Sequence, residues 1–98
     1  MARISTNNDR CRTGHKCSTS APVIASQRTV FANNKPILVR GNRVAPHFIK
    51  FKLKCIPHRA KLTGSSRTVF VNGIGVGRKG DRADFGEMTG ASFDVHAG

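Results

Sequence analysis

Ser26-Gln27-Arg28-Thr29-Val30-Phe31-Ala32-Asn33-Asn34 returns as Ser65-Ser66-Arg67-Thr68-Val69-Phe70-Val71-Asn72-Gly73 at an unchanged offset of thirty-nine positions. Each copy reads as a short run of β-branched and aromatic residues, an Asn-Asn or Asn-Gly pair, and a second extended run ending at Gly41-Asn42-Arg43 or Gly80-Asp81-Arg82. Asn-Gly is a strong hairpin signal, because a type I′ turn needs positive φ at both central residues and these residues tolerate it. The repeat therefore predicts two equivalent β-hairpins, turning at Asn33-Asn34 and Asn72-Gly73.

A third, weaker copy emerges when the chain is read as a circle. Met88-Thr89-Gly90-Ala91-Ser92-Phe93-Asp94-Val95 matches Leu62-Thr63-Gly64-Ser65-Ser66-Arg67-Thr68-Val69, and the sequence stops at Gly98, where the turn should fall. The missing return strand lies at the other end, in Arg3-Ile4-Ser5-Thr6-Asn7-Asn8-Asp9-Arg10, which can be laid on Val76-Gly77-Arg78-Lys79-Gly80-Asp81-Arg82. The expected fold is all-β, a pseudo-threefold assembly of hairpin repeats closed by its first and last segments, with residues 1–98 forming one domain. Helical periodicity is absent.

Around this frame, the second hairpin carries Gly73, Gly75 and Gly77 where the first has Asn34, Pro36 and Leu38, which predicts close packing around the second copy. In the first hairpin, Val23, Val30, Phe31, Ile37 and Val39 are the apolar candidates for burial. From Phe48 to Cys55 the residues alternate, with Ile49, Phe51, Leu53 and Cys55 on one face and Lys50, Lys52 and Lys54 on the other. That is the pattern of a strand with one buried face and a solvated lysine face. Ala83 to Gly86 reads as a further turn.

With 98 residues, 38% hydrophobic, no Trp or Tyr and ten Gly, the chain can build only a thin core, and such a core benefits from a staple. The formal charge of +12 makes nucleic acid the first partner to weigh, then an acidic protein surface or anionic lipid. The cations are spread through every segment, however, as a solvated surface would have them. Three cysteines cannot all pair with each other, which points to folding in a reducing compartment. The first nine residues have no apolar core for a signal peptide, and no apolar run is long enough to span a bilayer, so synthesis in the cytoplasm is expected.

His15 and His47 occupy matching places in the repeat, each a few residues past the Asn or Asp that closes a return strand. The third equivalent falls near Gly86, which offers no ligand. Cys55 and His58, spaced to chelate one ion, fill that vacancy in the expected site. Three imidazoles and one thiolate make a closed tetrahedral set that suits structural zinc. Cys11 and Cys17 are rival ligands, and they could also join in a disulfide on oxidation. The hairpin turns should gather opposite the metal, so Asn33, Asn34, Asn72 and Gly73 mark the expected docking face.

These residues resemble the PAAR family, the small proteins at the tips of contractile-tail spikes in bacteriophages and type VI secretion systems. The likeness rests on Thr68-Val69-Phe70-Val71-Asn72-Gly73 with Arg78-Lys79-Gly80-Asp81, on Thr29-Val30-Phe31-Ala32-Asn33 with Gly41-Asn42, and on the histidines that follow such units. It is closest to the short single-domain tips of phages similar to T4. The resemblance implies a cone with zinc near its apex, held by three His and one Cys. It also implies a flat base seated on a trimeric β-helical spike, one monomer per trimer, with the bacterial outer membrane as target and the virion tail tip as location. The family often carries Gly-Asp-x-x-x-Cys or a Pro-Ala-Ala-Arg run, which Gly41-Asn42 and Ile74-Gly75-Val76-Gly77-Arg78 replace here.

Two other classes compete with that reading. A small basic zinc-containing nucleic-acid-binding protein would account for the charge, but it needs stacking aromatics along a basic groove, and the six Phe fall mainly in core-like positions. An enzyme would need an open position on its metal and a base beside it, and the acids Asp9, Asp81, Asp84, Glu87 and Asp94 offer no such arrangement. No enzyme activity and no specific nucleic acid are expected.

Overall fold

Asn33 and Asn34 turn the chain with φ of 51° and 65°, and Asn72 and Gly73 do so with 52° and 79°, which are the left-handed conformations that the two copies predict. In the computed structural model, residues 2–92 and 94–98 are described, Phe51 by its backbone alone. Phe93, part of the third copy, and the expected burial of the Phe51 side chain lie outside the described residues.

The strands are β1 (Ala2–Arg3), β2 (Arg10–Arg12), β3 (Ser20–Ile24), β4 (Phe31–Ala32), β5 (Lys35–Pro36), β6 (Arg43–Phe51), β7 (Lys54–Lys61), β8 (Phe70–Val71), β9 (Ile74–Gly75), β10 (Arg82–Ala83), β11 (Gly86–Glu87) and β12 (His96–Ala97). Hairpins β4-β5 and β8-β9 are the two copies, and β1 pairs antiparallel with β12 to make the third across the chain ends. The expected closure by the terminal segments is therefore present. β2, β3, β6 and β7 form one four-stranded sheet.

The threefold character is written in backbone hydrogen bonds. Ile37, Val76 and Ile4 donate their N–H groups to the carbonyls of Val30, Val69 and Val95. One step further on, Leu38 donates to Ser5 at 3.0 Å, Gly77 to Leu38 at 2.8 Å, and Ser5 to Gly77 at 2.9 Å, a closed ring of three amides. Each strand then turns a corner with the same device: the side chains of Asn42, Asp81 and Asp9 accept from the N–H groups of Val39, Arg78 and Thr6 at 2.7–2.8 Å. A short polar side chain three residues on satisfies an amide that the strand would otherwise leave without a partner.

Side chains at the ring break the symmetry that the backbone keeps. Leu38 is fully buried where its equivalents are Gly77 and Ser5, so one branched side chain fills the axis. A Cβ at Gly77 would sit 2.6 Å from Leu62 Cδ2, and one at Gly75 would meet Ser65 Oγ and the Ser66 carbonyl, both at 2.5 Å. The glycines of the second copy thus admit close packing, as their pattern predicts.

Burial comes in two layers. Ile4, Ala32, Ile37, Val39, Val71, Val76 and Ala97 pack at the hairpin level. Leu38, Val44, Leu62, Ala83, Cys11, Met88 and Val23 pack one level further along each strand. The molecule is elongated, with extents of 42 × 23 × 21 Å. Val23, Ile37 and Val39 are buried as expected. Val30 and Phe31 are exposed: Phe31 opens the two-residue strand β4, and Val30 lies in the bend before it.

A second correction concerns Phe48 to Cys55. The segment does not continue as one strand: it folds back at Lys52-Leu53, with Phe51 opposite Lys54 and Lys50 opposite Cys55. Lys52 takes φ of 57°, and Leu53 stands 95% exposed at the tip of a long hairpin. Alternation over eight residues fits either a strand or two strand halves around a tight turn, and only the pairing of β7 with β6 decides between them.

Candidate metal centre

Beyond the second layer the three repeats diverge. On β6, His47 follows Val44, and β7 returns alongside so that His58 lies directly opposite it. After β2 the chain loops outward and brings in His15. The second copy contributes the β10-β11 hairpin, whose turn residue Asp84 has φ of 55°. This hairpin is held tightly against β2: a Cβ at Gly86 would fall 1.7 Å from the Arg12 carbonyl oxygen.

His15, His47, His58 and Asp84 meet at one point, each offering a donor atom within 4.8 Å of the others. The Asp84 carboxylate oxygens lie 2.9 Å from His15 Nε2, 2.6 Å from His47 Nε2 and 3.3 Å from His58 Nε2. The Asp84 carboxyl is 2% exposed, and the imidazoles of His15 and His47 are nearly as buried, while His58 is a quarter exposed. The ring of Phe85 packs edge-on against His15 at 5.1 Å and covers the cluster from outside.

The residues present fit a metal ion. His47 Nδ1–H donates to the Ala45 carbonyl at 2.9 Å, which leaves Nε2 facing an Asp84 carboxylate oxygen 2.6 Å away. Among the described residues, the buried Asp84 carboxylate pairs with these three histidines. Three imidazole nitrogens and one carboxylate oxygen are donors that suit a divalent transition metal.

Of the four ligands expected from the sequence, the structure brings His15, His47 and His58 together and leaves the fourth outside the cluster. Cys55 does not join the cluster: it is bonded to Cys17, bridging the loop after β2 to the long hairpin across a separation of 38 residues. The Cys11 to Cys17 bridge does not form either, because Cys11 points into the second core layer and is fully buried. Burial, and after it the nearby Asp84 charge, push the Cys11 thiol up, which argues against it as a ligand. Asp84 was overlooked because it sits in a turn, where Asp usually braces backbone. The signal was there, since the repeat left a vacancy near Gly86 and Asp84 lies two positions away.

The anticipated docking residues are elsewhere. Asn33, Asn34, Asn72 and Gly73 lie in the β4-β5 and β8-β9 turns, on the far side of both core layers from the metal cluster. Asn33 Nδ2 donates to Asp94 at 3.2 Å, which ties the first turn to the C-terminal segment.

Fold and site together define a class: a small all-β protein of threefold-repeated hairpins with a His-rich cluster that can hold a metal ion. The model of the PAAR motif family matches residues 13–88, and the chain belongs to that family. Membership supports a place at the spike tip of a contractile injection machine. Comparison with curated proteins returns no match.

Proposed function

We propose that this protein is the tip of a phage tail spike, a metal-stapled cone whose hairpin end seats on the blunt end of a trimeric β-helical spike, one monomer per trimer. The observation that carries the proposal is the threefold ring of Ser5, Leu38 and Gly77 together with what lies beneath it. A single chain matches three identical ones only if its own backbone repeats three times, and this backbone does. At the hairpin end, Phe31 and Phe70 stand 51% and 54% exposed at equivalent positions, with His96 at the third. They supply apolar anchors beside the turns Asn33-Asn34 and Asn72-Gly73. Large exposed apolar side chains grouped at one end are the mark of a surface meant to be covered.

At the other end, zinc held by His15, His47, His58 and Asp84 would join segments from β6, β7, the β10-β11 turn and the loop after β2. Bound metal would neutralise the buried carboxylate and staple a thin core. The role is mechanical: a four-donor set leaves no open position of the kind hydrolytic zinc requires, so no catalysis is assigned. At the virion tip, such a cone would present a rigid point to the outer membrane of the target cell when the tail contracts.

Two measurements test this. Mixed with its cognate spike trimer, the protein should bind at one chain per trimer by mass photometry, and Phe31→Asp with Phe70→Asp should abolish the complex. Elemental mass spectrometry should find about one zinc per chain, retained in Cys55→Ser and reduced at least about a hundredfold in affinity by His47→Ala or Asp84→Ala. Zinc lost on changing Cys55 but kept on changing Asp84 would reverse the ligand assignment.

A further inference from the structure

We infer that the β6-β7 hairpin is a membrane-docking element that binds bilayers of anionic phospholipid. The inference rests on the reading of this end as the leading end of the tip, and it names the surface that end would meet. Past the His47–His58 pair the hairpin continues through Phe48–Pro57, Ile49–Ile56, Lys50–Cys55 and Phe51–Lys54 before turning at Lys52-Leu53. At the usual strand rise, these four rungs carry the turn roughly 14 Å beyond the metal cluster.

The chemistry of this projection is amphiphilic and of one charge sign. Residues 43–61 include Arg43, Lys50, Lys52, Lys54, Arg59 and Lys61 and no acid. Among the described residues, the most exposed large apolar side chain is Leu53, 95% open at the turn between Lys52 and Lys54, with Phe48 half exposed behind it and Phe85 74% exposed nearby. A hollow on the flank is lined by Lys16, Lys50, Lys52, Ile49 and Phe85, which places ammonium groups around an apolar floor. Lysines flanking a protruding Leu suit an interface where headgroup phosphates meet acyl chains, since the ammonium groups stay in the headgroup layer while Leu53 inserts. A nucleic-acid groove would instead align flat rings for stacking along a concave track, and Leu53 at a convex tip offers no such ring. The Cys17–Cys55 bond ties the hairpin to the loop that carries His15, so insertion would act on a braced element.

Cosedimentation of the full chain with large vesicles tests this. Phosphatidylcholine vesicles carrying about 30% phosphatidylglycerol should bind it, and pure phosphatidylcholine should bind at least about tenfold more weakly. Binding should fall as salt is raised, through charge screening. Leu53→Ser should weaken binding about tenfold, the loss expected for one inserted Leu. Lys50→Glu with Lys54→Glu should weaken it more than about a hundredfold. Arg28→Glu with Arg67→Glu makes the same change in net charge at the exposed opposite end and should leave binding within about twofold. Unchanged melting temperature and metal content in each variant would show that the fold is intact. Equal binding to both vesicle types, or equal loss in the hairpin and remote variants, overturns the inference. So does vesicle binding that survives the hairpin changes while binding to a short DNA duplex is lost. Failure here leaves spike docking untouched, because that is measured on Phe31 and Phe70 without lipid.

Discussion

The hairpin end and the metal end of this molecule are built from the same three repeats and obey opposite rules. Through the ring of Ser5, Leu38 and Gly77 and the corners past it, the main backbone hydrogen bonds of one repeat have counterparts in the other two, and three corners use Asn42, Asp81 and Asp9 in one way. Beyond the second core layer the copies diverge: the first extends into the β6-β7 hairpin, the second stops at the tight Asp84-Phe85 turn, and the third loops through His15. A surface that meets three identical chains gains from repeating itself. A centre that gathers four different donors at one point cannot repeat, because three equivalent ligands around an axis leave the fourth without a source.

The two ends are also held by different forces. Repeated backbone bonds and two small apolar layers hold the base, while at the apex long-range links dominate: one disulfide and a cluster of buried polar groups drawn from four segments. This difference can be broken at chosen points.

The largest effect is expected where the asymmetric turn presses on the symmetric frame. Gly86→Ala drives a methyl into the Arg12 backbone and should cost at least about 4 kcal/mol, read as loss of a cooperative thermal transition. Next comes the apical staple. Cys17→Ser with Cys55→Ser removes a bridge across 38 residues, which in the chain-entropy account stabilises by up to about 4 kcal/mol, with strain and residual structure lowering the figure. Denaturant melts should place the variant about 3 kcal/mol below the parent, and reducing agent should reproduce the loss in the parent but not in the variant.

Leu38→Ala empties the axis of the ring and should cost about 3 kcal/mol by the same melts, because Gly77 and Ser5 have no side chain able to refill it. The smallest effect sharpens the symmetry itself. Asn34 and Gly73 occupy equivalent turn positions with φ of 65° and 79°. Gly73→Ala should destabilise by about 1 kcal/mol, whereas Asn34→Gly should change stability by only a few tenths, since Asn already tolerates the left-handed region.

Much of the fold was legible in the chain. A thirty-nine-residue offset and two Asn turns specify the hairpins locally, because positive φ at a turn is a property of a dipeptide. The third repeat was legible because Asp9 aligns with Asp81 and Asn42, and the corner hydrogen bond each makes needs only a residue three positions back. The site was legible in part. His15 and His47 followed from the repeat and His58 from its spacing, but the fourth donor did not.

The choice between Cys55 and Asp84 is a question of which side chains meet in space. Cys55 is three residues from His58 in the chain, yet it pairs with Lys50 and bonds to Cys17. Asp84 lies 26 residues from His58 and 69 from His15, yet its carboxylate touches both. By itself the sequence determined the repeat, the turns and the threefold order, since each rests on contacts within a few residues or on identical units stacking alike. Only the tertiary structure decided where the lysine-bearing strand folds back, which cysteines pair and which acid joins the histidine cluster. Those outcomes depend on the distances at which separate repeats come together, and no local pattern encodes them.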